Sequence, residues 1–301
     1  MKTTLKGALV AALLLGAASS ARAACPPPGW DEAALERLRA AKFELADPAA
    51  RSVLANALTG CLADPRPQLR DGAAFEALSA WMRAGALPAA QLESLRVELQ
   101  GRLSAEDSNG FGHPFAALVL SEIARVDRLK PFLEPPSREG LLRAAVAYET
   151  GIRDHRGFDA TQGWRHGVAH GADLLLQLAL NPALGREALE AVVAAVGTQV
   201  APVGEHFYVY GESERLARPV YYAAQRGLHD SAWWSAWLAT LAVPAPLPNW
   251  GEAFKTQAGL ARKHNTQAFV QVLYVMVREG GNDALQQRLL PGLVAALKAL
   301  P

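Results

Sequence analysis

Gln91-Leu92-Glu93-Ser94-Leu95-Arg96-Val97-Glu98-Leu99-Gln100 is the stretch that decides the fold class. Leu92, Leu95 and Leu99 recur at three and four positions, with charged and amide side chains between them. On a helix of 3.6 residues per turn these leucines share one face, so the segment predicts an amphipathic helix with one buried stripe. Leu35, Leu38 and Ala41 repeat the pattern upstream. Alanine and leucine dominate the rest of the chain. Alternating runs of Val, Ile, Tyr and Thr are nearly absent, apart from Phe207-Tyr208-Val209-Tyr210. The chain therefore reads as all-α.

Breakers divide the helices. Pro65-Arg66-Pro67, Gly85, Ser108-Asn109-Gly110, Pro135-Pro136, Asn181-Pro182, Gly227 and Pro244-Ala245-Pro246 each interrupt the periodicity. Between them lie antiparallel helix pairs near 31–63, 68–106, 114–154, 164–200, 213–242 and 250–300. The recurrence of about 40 residues falls in the range of HEAT-like repeats. A HEAT-like α-α superhelix of stacked hairpins is the expected architecture, with a closed α/α toroid as the alternative. A helix pair needs a neighbour to bury its apolar face, so residues 24–301 are expected to form a single unit.

The first 23 residues read as a secretory signal peptide. Lys2 and Lys6 precede the apolar run Gly7 to Ala18, and the small-x-small triplet Ala21-Arg22-Ala23 follows Ser19 and Ser20. An exported protein, periplasmic or secreted, is implied. Arg22 stands three before Cys25, where a lipidation signal wants an aliphatic residue. No later run is apolar and long enough to predict a membrane span; Phe269 to Val277 is broken by Gln271. Removing Lys2, Lys6 and Arg22 takes the formal charge from +1 to about −2, which leaves no electrostatic footprint for nucleic acid or anionic lipid. In an oxidising compartment Cys25 and Cys61 are candidates for a disulfide that staples the Pro26-Pro27-Pro28 leader to the body.

One stretch is rich in chemistry: Asp154-His155-Arg156-Gly157-Phe158, then Gly163-Trp164-Arg165-His166-Gly167-Val168-Ala169-His170-Gly171-Ala172-Asp173. A helix from Trp164 to Leu180 would put His166, His170, Asp173 and Gln177 within an arc of roughly 60°. Two histidines four apart can reach one divalent metal ion, and a carboxylate one turn on can join them. The same residues also suit packing, with Asp173 holding one histidine tautomer. A second block follows, Glu205-His206-Phe207-Tyr208-Val209-Tyr210-Gly211-Glu212-Ser213-Glu214-Arg215, in which Ser213 is expected to cap a helix that opens with Glu214. His264, Gln267 and Gln271, beside Lys263, form a third polar stripe. Trp233, Trp234 and Trp237 are expected to be core and interface aromatics. A phosphate-binding glycine loop, a Gly-x-Ser-x-Gly elbow, His-Glu-x-x-His and paired Cys-x-x-Cys are all absent from the sequence.

The run Arg156-Gly157-Phe158 followed by Gly163-Trp164-x-His166-x-x-Ala169-His170-x-x-Asp173 resembles a bacterial, all-helical family of uncharacterised proteins. That family also tends to carry a Gly-Glu-Asp-Glu-Arg-Leu block, matched here at Gly211, Glu212, Glu214, Arg215 and Leu216 and departed from at Ser213. The resemblance covers roughly 110–280 and implies no activity. The two readings that follow are a ligand- or partner-binding protein of the cell envelope and, alternatively, a metal-dependent hydrolase. The first would use Asp154, Arg156, Trp164, His166, His170, Asp173, Glu212, Glu214 and Arg215. The second would bind its metal through His166, His170 and Asp173, with Glu205, Glu212 or Glu214 as a further ligand or general base.

Overall fold

A computed structural model describes residues 25–301, so the expected signal peptide at 1–23 lies outside the described residues. The described chain is all-α. In order it runs α1 (Glu32–Ala40), α2 (Pro48–Leu58), α3 (Pro67–Leu69), α4 (Glu76–Arg83), α5 (Ala89–Arg102), α6 (Gly112–Leu129), α7 (Pro135–Gly151), α8 (Gly167–Ala179), α9 (Arg186–Val200), α10 (Glu212–Gln225), α11 (Ser231–Leu241), α12 (Gln257–Glu279) and α13 (Asp283–Ala299). A π-helical stretch, Arg70–Phe75, joins α3 to α4. The one sheet among the described residues is a hairpin of two-residue strands, β1 (Phe158–Asp159) and β2 (Gly163–Trp164), pairing Phe158 with Trp164.

Local chemistry sets the helix starts. Asp31, Asp47, Asp230 and Asn282 each accept a hydrogen bond from a first-turn amide of the helix that follows, and Thr256 does the same for α12. Such side chains satisfy amides that have no intrahelical partner. Leu92, Leu95 and Leu99 are buried, as the spacing predicts. Each fully buried leucine contributes about 1.5–3 kcal/mol of transfer free energy.

The helices pack in two rows. α4, α6, α8, α10 and α12 each rest on the next in one row, while α7 packs on α9 and α11 on α13 in the other. The N-terminal helices α1 and α2 make no extensive contact with the C-terminal helices α12 and α13. The most extensive helix pair is α6 with α8. There Ala116, Ala117, Ala169 and Ala172 are fully buried, and such small side chains let two backbones approach closely.

Two charged rivets tie segments together. Asp127, at the end of α6, is buried and accepts from the amides of Phe132 and Leu133, the Arg138 guanidinium and Asn181 Nδ2. Every lone-pair direction of the carboxylate is engaged, so it stays charged in the interior; the Arg138 guanidinium and the two amides outweigh burial and hold its pKa down. Arg70 is completely buried under the rings of Phe111 and Phe115, 4.0 and 4.8 Å from their centroids. It donates to the Asp64 carbonyl, to Asp71 and to the Gln162 carbonyl at 2.8 Å. Arg70 thereby fixes the β-hairpin against the N-terminal helices. Cys25 and Cys61 form the expected disulfide. Among the described residues no helix is long and apolar enough to cross a membrane.

Candidate functional site

The expected helix from Trp164 does not start there. Gly157 and Gly163 sit in or beside the β-hairpin, and Asp159 ties the turn by accepting from the amides of Thr161 and Gln162 and from the Thr161 hydroxyl. Those bonds, the hydroxyl first, hold the Asp159 pKa down at about 2. α8 begins only at Gly167, and His166 precedes it in the left-handed region, φ 56°. The single 100° progression that placed His166, His170 and Asp173 on one stripe therefore breaks at His166. Its carbonyl still accepts from the His170 amide, so the two rings stay neighbours, with centroids 5.7 Å apart.

Asp173 is engaged elsewhere. Both its oxygens are taken by the Arg215 guanidinium of α10, one of them from Nε at 2.8 Å. Among the described residues no group of three or more His, Cys, Asp or Glu is placed to hold a metal ion. Ser213 is not the cap of α10 either. Gly211, at φ 88°, takes that position, and Ser213 is buried inside the first turn. The start of α10 is held instead by Glu212, whose Oε2 accepts from the Tyr210 amide at 2.8 Å. Glu214 faces outward and pairs with Arg218 one turn on.

The two polar blocks nonetheless meet. Trp164 stacks on His166 at 4.7 Å and meets the Tyr210 ring edge-on at 5.7 Å. A side chain at Gly157 would overlap the Tyr210 ring, so that close approach requires glycine. Asp173 and Arg215 join α8 to α10. The third polar stripe supports the same joint from α12: Asn265 accepts from the Tyr208 amide and donates to the His206 carbonyl, each at 2.9 Å, and the His264 ring lies 3.2 Å from the Tyr208 carbonyl. The segment Phe207 to Tyr210, whose composition suggested a strand, runs as a loop because α12 side chains satisfy its backbone.

The joint holds an unusual set of polar atoms. Twelve buried side-chain nitrogen or oxygen atoms among the described residues have no hydrogen-bond partner within the protein, and eight of them belong to Glu149, His166, His170, His206, Tyr208, Glu212 and Ser213. The Glu149 carboxyl is completely buried at the end of α7, with both oxygens unpartnered, and packs against Gly171 so closely that a side chain there would overlap it. Burial pushes its pKa well up. Burial likewise raises the Tyr208 phenol, with Glu149 and Glu212 adding to the effect. Burial and then the Arg215 charge bring the His166 pKa down to about 4. Burial, His166 and Arg215 hold His170 well below the usual range. Near neutral pH His166 is uncharged, and burial favours the uncharged forms of His170 and Glu149, so these groups offer neutral donors and acceptors.

Asp154 and Arg156 pair with each other on the opposite side of α8's start. With Asp107, His113, Tyr148 and Gly167 they line a cleft of about 540 Å³. Tyr148 and Gly167 are among its lining residues, and in the chain they adjoin Glu149 and His166 of the joint. Glu149 and Arg70 were not singled out by the sequence, whereas Asn265 lies in the third polar stretch, Lys263-His264-Asn265-Thr266-Gln267. Only Glu149 left a signal: an acid in the last turn of a helix opposes the helix dipole.

Residues 99–275 match the model of a family described as "Protein of unknown function (DUF2785)". That span contains both polar blocks and the α12 residues that support them. No curated protein and no solved structure matches the chain.

Proposed function

The chain belongs to the family of unknown function DUF2785, and from that premise we propose that it is a binding protein for a small, uncharged, polar ligand, seated where α7, the β-hairpin, α8 and the loop before α10 meet. One observation carries this reading: the eight unpartnered polar atoms gathered at one joint. Folded proteins pair nearly all their buried polar groups, and leaving one unpaired costs about 1–3 kcal/mol. A stability-driven core would replace them with apolar side chains. Retaining them is explained when a bound molecule supplies the partners.

We assign an uncharged ligand because three nearby ion pairs are matched within the protein. Asp173 and Arg215 neutralise each other, as do Asp154 and Arg156, and Glu214 and Arg218. Export to the cell envelope, periplasmic or secreted, accords with the Cys25–Cys61 disulfide, since such bonds persist in oxidising compartments. Rows of successively stacked helices support an open, HEAT-like superhelix as the scaffold. The metal-dependent hydrolase reading has no comparable support, because Asp173 is committed to Arg215.

A ligand-observed NMR screen of uncharged polyols, amides and sugars tests the proposal. Wild type should show saturable binding that weakens at least about fivefold in Tyr208→Phe and Glu212→Gln, through loss of one hydrogen bond. No binder, or equal binding by all three proteins, would refute it.

A further inference from the structure

A cavity of about 500 Å³ lies where the ends of α9 and α11 meet Arg262 of α12. Arg262 donates through Nη1 to the Ala201 carbonyl at 3.1 Å and through Nη2 to the Val243 carbonyl at 3.3 Å. Ala201 closes α9 and Val243 follows the cap of α11, so the cation ties together two helix ends whose carbonyls it suits. Arg226 does the same for the carbonyls of Ala179 and Asn181, and such capping by itself implies no ligand. Arg262 differs in what surrounds it. It forms no ion pair with any acid of the described residues, and no acidic residue lines the cavity. Burial lowers its pKa with no carboxylate to offset the effect. A guanidinium has five N–H donors, and the two carbonyls take one from each terminal nitrogen. Trp237 lines the same cavity, with its indole nitrogen over Gly197 and no acceptor in the protein for its N–H. Val200, Val203 and Leu241 supply apolar wall.

We propose that this cavity is a second binding site, which takes a small monocarboxylate with an apolar body, its carboxylate accepting from Arg262 and from the Trp237 N–H. The proposal goes beyond the binding reading above and does not rest on it, because none of the residues whose unpartnered atoms define the joint lines this cavity. A guanidinium without a counter-ion selects an anion, and its planar fork matches a carboxylate. One such group balances one negative charge. A cationic ligand would find no acid to meet it. An inorganic anion would leave the apolar wall unused, whereas a cavity of this size suits a small organic molecule.

Isothermal titration at low ionic strength tests the proposal with 3-phenylpropionate, indole-3-acetate and octanoate, each beside its primary amide, and with sulfate. At least one acid should bind wild type with a Kd near or below about 1 mM, and its amide at least about tenfold more weakly. Thr198→Glu is the diagnostic variant. Thr198 lines the cavity at an exposed position of α9, so a glutamate there leaves the core intact and gives Arg262 a carboxylate of the protein's own. That variant should bind the acid at least about tenfold more weakly while its thermal midpoint stays close to that of wild type. Trp237→Phe keeps an aromatic ring, loses the N–H and should weaken binding about fivefold. Tyr208→Phe, in the joint, should bind the acid as wild type does, so the two sites succeed or fail separately. The proposal is overturned if no acid binds at about 10 mM, or if an amide or sulfate binds as tightly as the acid. It is overturned equally if Thr198→Glu or Trp237→Phe binds the acid as wild type does.

Discussion

Replacing Glu149 by glutamine should make the protein's stability less dependent on pH. The Glu149 carboxyl is completely buried, with neither oxygen partnered, and burial holds its pKa well above the usual carboxylate range. In the unfolded chain the same group ionises near pH 4.3. Above that pH the unfolded chain releases a proton that the folded protein retains, so folding grows less favourable as the pH rises. The slope is about 1.4 kcal/mol per pH unit for as long as the folded group keeps its proton. Between pH 5.5 and 7 the wild type should therefore lose up to about 2 kcal/mol from this group alone. A glutamine side chain fills the same shape and has no proton to release. The two histidines act in the opposite direction: His166, with its pKa near 4, and His170 resist charging in the fold, so they withdraw stability as the pH falls below about 6.5. Both proteins share that contribution and it cancels in their difference. Urea unfolding of wild type and Glu149→Gln at pH 5.5 and 7 measures the gap directly. Glu149→Gln should gain on wild type by about 2 kcal/mol on going to pH 7. A gap that stays constant would mean that Glu149 ionises in the folded protein, and the neutral character assigned to the joint would be wrong.

Other substitutions probe the scaffold. Asp127→Ala strands the buried Arg138 guanidinium and two amides, and should cost about 3–5 kcal/mol in urea unfolding. Gly171→Ala forces a methyl group against Glu149 in the packed α7–α8 contact, and a loss of about 1–3 kcal/mol is expected, read as a lower thermal midpoint. Cys25→Ser opens the loop closed with Cys61 and should cost about 2–4 kcal/mol, with the difference from wild type vanishing when both are measured under reducing conditions.

The leucine spacing and the breakers were enough to read where the helices lie, because a helix face and a proline are local facts, but of the six expected pairs only α8 with α9 and α12 with α13 pack extensively on each other. The pairs near 114–154 and 164–200 differ from the observed helices mainly at their ends. The site was legible by composition and misread in geometry. Extrapolating one helical phase through Gly163 and Gly167 placed His166 on a stripe it does not occupy, because His166 adopts φ 56° and the helix starts after it. Asp173 looked like a ligand since Arg215, 42 residues on, is invisible to local spacing. Ser213 looked like a cap because its type suits one, yet Gly211 supplies the left-handed turn that ends the loop. That the blocks at 154–173 and 205–215 meet is a matter of tertiary stacking, set by α6, α8, α10 and α12, and no spacing rule carries it.

The central claim is that the polar groups of the joint serve a ligand and not the fold, and the unfolding free energy of Tyr208→Phe tests it with one oxygen atom removed. The Tyr208 hydroxyl is buried without a protein partner, so its loss leaves packing intact and breaks no protein hydrogen bond. The variant should be as stable as wild type or up to about 1 kcal/mol more stable. A loss of more than about 1 kcal/mol would show that the hydroxyl has a structural partner and that the joint is a packed core.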